Sequence, residues 1–169
     1  FSFEGNVNMY TDSVFVRADS LHYLSDVNKA EFVSPIDFWK DDNMLSASGG
    51  WYSRPDNIFF FSGDVRGLTR DQESWSDTLY FYRGTNDVLM RGHVQIQDST
   101  RSTAAVSDYL FYKDTLSRVT LRDNAAVALW SEDKEGQIDT TYFGADTLIY
   151  NTVRRCDIPE AEVAAAAER

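Results

Sequence analysis

The chain has 169 residues, 43% of them hydrophobic, with 16 Lys and Arg against 27 Asp and Glu for a formal charge of −11. A charge this negative, spread along the whole chain, argues against a nucleic-acid partner and against a polybasic membrane-surface footprint. No stretch approaches the roughly 20 consecutive apolar residues of a membrane helix, so a soluble chain is expected, with one domain as the default and any secretion signal outside this sequence.

Phe, Tyr and Trp make up 14% of the residues and there are only 3 prolines, a composition that favours strands. The first pass alternates Phe1, Phe3, Val7 and Met9 with polar residues and stops at Thr11-Asp12-Ser13. A second pass carries Val14, Val16 and Ala18, then Leu21 and Tyr23 on the opposite parity, and ends at Ser25-Asp26. Phe32, Ile36 and Phe38 follow up to Lys40-Asp41-Asp42-Asn43, and the next pass reaches Tyr52 before Arg54-Pro55-Asp56-Asn57. The stretch from Asn57 to Leu68 holds Phe59, Phe61 and Val65; after Arg70-Asp71-Gln72 comes a pass with Leu79 and Phe81. Beyond Gly84-Thr85-Asn86-Asp87, Val88, Met90, Val94 and Ile96 alternate with Arg91, His93 and Gln95. Leu110 and Tyr112 lie between the turns Asp98-Ser99-Thr100 and Lys113-Asp114, and then come Val119, Leu121, Ala125, Val127 and Leu129. The run from Ser131 to Gln137 reads as an enlarged surface turn before Leu148 and Tyr150. A period of two broken by turn residues is the signature of an all-β chain.

Two interleaved repeats run through these passes. Gly5-Asn6-Val7, Ser34-Pro35-Ile36, Gly63-Asp64-Val65 and Gly92-His93-Val94 begin at intervals of 29 residues. A second series opens at Asp19, Ser48, Asp77, Asp108 and Asp146, each start followed by hydrophobic residues, at intervals of 29, 29, 31 and 38. A pass such as Asn57 to Leu68 is about twice the usual strand length of 5–6 residues, so it must bend. In the first series the bend falls at the Gly or Ser, which sits on the apolar parity and leaves the backbone room to turn. In the second the parity switches at the Asp, which reads as a bulge or corner. The expectation is an antiparallel ribbon of about ten passes, each folded across its middle, with two half-sheets facing one another over an apolar interior. Its free edges fall near Phe1 to Tyr10 and Leu148 to Asp157. Only Glu4 guards the first, which is expected to pair with another such sheet or with a second copy.

These repeats resemble those of the OstA-like family, which contains the periplasmic lipopolysaccharide-transport protein LptA and the N-terminal domain of LptD. The resemblance is carried by Gly-x-Val within alternating apolar residues and by Asp-x-Leu-x-Tyr opening the return pass. It is clearest in Gly63-Asp64-Val65-Arg66-Gly67 and from Ser76 to Gln97, and it covers nearly all of residues 1 to 158. Ser34-Pro35-Ile36, Asp123-Asn124-Ala125 and Ser48-Gly49-Gly50 depart from the pattern. The resemblance implies an open, twisted antiparallel β-jellyroll built from repeats of about 29 residues. It further implies periplasmic carriage of lipopolysaccharide or a related glycolipid, other transport components as partners, and acyl chains sheltered between the half-sheets. The residues implied to face those chains are Leu21, Tyr23, Phe32, Phe38, Phe59, Phe61, Val65, Leu79, Phe81, Met90, Val94, Ile96, Leu110, Tyr112, Leu121 and Leu148.

Catalysis has little to stand on in this sequence. His22 and His93 both fall on outward parity, and neither a Ser-His-Asp constellation nor a metal-ligand spacing occurs. Asp19, Asp77, Asp108 and Asp146 recur one per corner, spread along the ribbon; as corner residues they are expected to accept backbone N–H bonds. No enzyme activity, cofactor or metal is therefore expected. The alternatives are a scaffold of the same fold filled by its own aromatics and, in another class, a carbohydrate-active β-solenoid enzyme. The single cysteine, Cys156, makes no disulfide framework and reads as a small buried hydrophobe. Residues 159–169, with four consecutive alanines, read as a tail or linker.

Overall fold

The computed structural model describes residues 1–33, 35–152 and 159. The corner expected at Ser34, the burial of Cys156 and the character of the tail lie outside the described residues, save Pro159. Twelve strands form one antiparallel sheet: β1 (Ser2–Thr11), β2 (Val14–Leu24), β3 (Lys29–Phe32), β4 (Ile36–Lys40), β5 (Asn43–Ala47), β6 (Gly49–Ser53), β7 (Ile58–Leu68), β8 (Gln72–Tyr82), β9 (Asp87–Asp98), β10 (Thr103–Lys113), β11 (Arg118–Glu132) and β12 (Ile138–Asn151). They make the expected ten passes, because β3 with β4 and β5 with β6 are each one pass broken in two. Hairpin turns use Asp12, Asn28, Asp41, Asn57 and Asn86 at φ of 43°, 50°, 53°, 57° and 56°. Short side chains that hydrogen-bond locally tolerate this left-handed conformation best, which explains the polar punctuation.

The bends are bulges. Gly5-Asn6, Gly63-Asp64, Gly92-His93 and Asp123-Asn124 all take positive φ at both residues. Opposite each pair the ladder loses register, as where Glu4 pairs with Ser20 but Val7 with Ala18, so two residues face the single Asp19. The same slip occurs between Ser62 and Val65 and between Arg122 and Ala125. One extra residue turns the strand and reverses the parity of its partner, as the switch at Asp19 requires. Asp123-Asn124 replaces glycine without loss of the corner because Asp and Asn are the residues that best tolerate the left-handed region.

At two corners the carboxylate bonds a side chain, not the backbone N–H expected for it. Asp77 does not turn to a backbone N–H: its carboxylate lies 2.9 Å from Nδ1 of His93, and Asp108 accepts from the side-chain amide of Asn124 at 2.6 Å. In both cases the partner is the second residue of the left-handed pair on the next strand, whose conformation swings its side chain over the corner.

The bulges divide the ribbon into two half-sheets. One holds residues 7–11, 14–18, 36–47, 65–76, 94–107 and 125–145; the other holds 2–4, 20–32, 49–62, 78–91, 109–122 and 147–151. Their inner faces meet where Phe38 packs edge-on to Phe59, Phe61 and Phe81 at 5.2, 5.2 and 6.0 Å between ring centroids. Aromatics of the other parity stack along the outer faces, Tyr10 on Phe15 on Trp39 and Trp51 on Phe60 on Tyr80. These cross-strand pairs brace each half-sheet from behind.

Covering is uneven along the ribbon. Phe1, Phe3, Leu129 and Tyr150, expected inside by parity, are 81%, 49%, 41% and 52% exposed. The reason is sheet twist, which offsets the half-sheets. The β1–β2 tip meets the β8–β9 tip through Asp12 and Arg83, so the first and last strands have less of a facing partner. Among the described residues β1 pairs only with β2 and β12 only with β11, which leaves an edge of the described sheet open at each end.

Candidate functional site

The offset creates a cleft of about 890 Å³ at the N-terminal end of the interior. Its apolar lining comes from Phe3, Val7 and Met9 of β1, Leu21 and Tyr23 of β2, Ala30 of β3 and Tyr52 of β6. Alternation brings these side chains to one face, and the bulge at Gly5-Asn6 folds β1 so that both its halves contribute. The rim is polar, with Asp12, Asn28, Arg54, Asn57 and Arg83 from hairpin tips of both half-sheets. An apolar floor under a few polar groups suits an amphiphile with a chain and a charged or hydroxylated head.

Two contacts join hairpin tips of the facing half-sheets, the first of them at this mouth. Arg83 donates to the Asp12 carboxylate, and Lys40 donates to Oδ1 of Asn86 at 2.7 Å while its ammonium lies 5.3 Å from the Phe81 ring. The hydrogen bond from Arg83 to Asp12 raises the Arg83 pKa, with Tyr52 adding to it against the opposing effect of burial. Arg83 is therefore a permanent cation. At the far end of the ribbon Arg101 stands 6.0 Å from the Tyr150 ring, a weaker contact between the half-sheets.

The remaining buried charges serve the hairpin tips. Burial pushes the Asp87 carboxyl up, but hydrogen bonds from Lys113 at 2.6 Å and from the N–H of Asp114 at 3.0 Å more than offset it and hold its pKa below the usual range. Asp98 follows the same logic, accepting from Gln72 at 2.7 Å and from the N–H of Arg101 at 2.9 Å. His93 is largely exposed and its pKa is raised by its bond to Asp77. Among the described residues no three His, Cys, Asp or Glu side chains converge as metal ligands.

Of the sixteen residues expected along the interior, Leu21 and Tyr23 line the cleft. Phe32, Phe38, Phe59, Phe61, Val65, Leu79, Phe81, Met90, Val94, Leu110 and Leu121 form the buried core, with Phe59, Phe61 and Val65 fully enclosed. Ile96, Tyr112 and Leu148 are half-covered and pack against that core toward the C-terminal end. Parity does not point to the rim cations, but the repeat does: Arg54 and Arg83 stand 29 residues apart, each just after an inward aromatic pass.

No protein-family model and no curated protein matches this sequence. Among solved structures, one match is LptH, the LptA homologous periplasmic component of the conserved lipopolysaccharide transport device from Pseudomonas aeruginosa. The TM-score is 0.57 at 10% identity, over 76% of this chain and 93% of that one. The chain has an LptA-like fold. At that identity the likeness is one of backbone, so the residues lining the cleft are this chain's own. The LptA-like sheet sets the half-sheets and their open ends, while Arg54, Arg83 and Asp12 set the charge at the mouth.

Proposed function

We infer that this chain is a periplasmic carrier or bridge for lipopolysaccharide or a related glycolipid, delivering it toward the outer membrane without chemistry or cofactor. The observation that carries this reading is an apolar interior that opens into a cleft of about 890 Å³ at one end. Acyl chains enter over Leu21, Tyr23 and Tyr52 and continue along the core, with Phe38 and Phe61 parting as the half-sheets spread. Ile96, Tyr112 and Leu148 take over toward the other end. The likeness to LptH, a component of a lipopolysaccharide transport device, supports the cargo, and the open edges of β1 and β12 suit strand pairing with other components or with a second copy. Among the described residues the buried carboxylates are Asp87 and Asp98, and both are engaged in hairpin-tip bonds.

The fully enclosed Phe59 and Phe61 favour a second reading, a scaffold whose interior is permanently filled. Photo-crosslinking separates the two. A crosslinker at Tyr23 or Phe81 captures lipopolysaccharide if the interior is a conduit, whereas one at outward Arg91 does not. Absence of capture at both inward positions in folded protein would select the scaffold.

A further inference from the structure

We propose that the rim of the N-terminal cleft is a phosphate subsite. Arg83 and Arg54 take the anionic headgroup of an amphiphile whose chain lies on Leu21, Ala30 and Tyr52, and Asp12 holds Arg83 until that headgroup arrives. This rests on the cleft being the entry for an amphiphile, and it adds the headgroup chemistry.

The first support is charge. The chain carries −11, yet among the described residues the ionised groups lining the cleft are two guanidiniums against one carboxylate. A locally positive mouth on a strongly negative protein gathers anions there.

The second is how Arg83 is held. On the protein side its guanidinium donates to Oδ1 of Asn57 at 3.5 Å and interacts with Tyr52, and the side chain is only 18% exposed. Outward, its partner is Asp12, whose side chain is 84% exposed and sits in a two-residue turn. An exposed carboxylate is a weak partner because it stays hydrated. A phosphate offers a guanidinium bidentate geometry and up to two charges, and so displaces it.

The third is the placing of Arg54. Arg54 and Arg83 follow β6 and β8 in neighbouring turns built alike, with their N–H groups donating to the carbonyls of Asn28 and Asn57 at 3.1 and 3.0 Å. With β7 between them their backbones stand two strand spacings apart, about 9–10 Å, a gap two long side chains can close around one headgroup. The apolar floor begins directly beneath, so the anion and the chain of one molecule are served together.

Titration of the full chain at low salt with dodecyl phosphate, uncharged dodecyl maltoside and inorganic phosphate tests this, each detergent kept below its micelle concentration. Dodecyl phosphate is expected to bind about tenfold more tightly than the maltoside, the scale of one charge-assisted hydrogen bond. Arg83→Gln lowers dodecyl phosphate affinity to that of the maltoside, Arg83→Lys keeps part of the preference, and Asp12→Asn raises dodecyl phosphate affinity by freeing the cation. If Arg83→Gln melts the fold, Arg54→Gln and Asp12→Asn still read loss and gain. Equal affinity of the parent for both detergents overturns the headgroup subsite and leaves the carrier reading standing. Inorganic phosphate binding as tightly as dodecyl phosphate overturns the amphiphile and assigns a free-anion site. Binding of neither detergent removes both the subsite and the carrier reading.

Discussion

The ring of Phe38 in β4 stands edge-on to that of Phe61 in β7, 5.2 Å between centroids and 71° between planes, although β4 and β7 share no strand pairing. This contact crosses the interior and ties one half-sheet to the other. Phe61→Ala therefore costs about 3–5 kcal/mol, the transfer of a fully enclosed ring plus the cavity it leaves. Phe60→Ala, on the outer face between Trp51 and Tyr80, costs about 1–3 kcal/mol, the scale of two lost aromatic pairs. Denaturant unfolding of the two variants measures the difference, and equal losses would mean the inner contact holds nothing together.

Gly92 has two reasons to be glycine and Gly5 has one. Both sit at positive φ, +74° and +78°, but a Cβ on Gly92 would stand 2.2 Å from the carboxylate of Asp77, while one on Gly5 meets nothing within 4 Å. Gly92→Val is expected to cost about 1–3 kcal/mol from crowding on top of the backbone strain. Gly5→Val carries the backbone strain alone. Thermal melts in which the two variants lose the same amount would show that crowding at the corner is unimportant.

Acid stability depends on Asp87 and Asp98. Both have folded pKa values below the ordinary 3.8, so their stabilisation is complete above that value and disappears as pH falls through the lower folded values. Asp87→Asn should be less stable at neutral pH by about 1.5–3 kcal/mol, the worth of hydrogen bonds to a charged group. It should also show a shallower loss of stability below about pH 4 than the parent. His93 works in the opposite sense: its folded pKa lies above 6.5, so its bond to Asp77 contributes fully below that value and fades as pH rises through the folded one. His93→Gln should flatten that decline in melts recorded between about pH 6 and pH 9.

Assembly through the first edge is testable by sedimentation. Among the described residues β1 is paired on one side only, and it carries a single charged residue, Glu4, and no proline to discourage a second partner. The parent is expected to associate with rising concentration, and Val7→Pro, which removes an N–H from that strand, to weaken the association. Strictly monomeric behaviour of the parent, alone and with candidate partners, would take this support from the bridge.

The strands, the corners and the inward faces of the middle passes were legible in the sequence because each is set locally. Alternation with a period of two assigns a side chain to a face whatever the rest of the chain does, as for Phe59, Phe61 and Val65. A Gly or Asn in the left-handed region marks a bend for the same reason, since the constraint lies in one residue's own backbone. Parity says which face a side chain takes but not whether anything covers that face. Parity assigns Phe1, Phe3 and Tyr150 to the interior with the same logic as Phe61, and only the twist of the assembled sheet decides that they lie beyond the opposing half. Asp12 and Arg83 are 71 residues apart. Such a distant pair leaves no periodic trace, because it forms where two tips of a twisted sheet meet. The cleft, its charged rim and its access to the core belong to that tertiary geometry, as the offset of two facing half-sheets is a property of their accumulated twist and of no single residue.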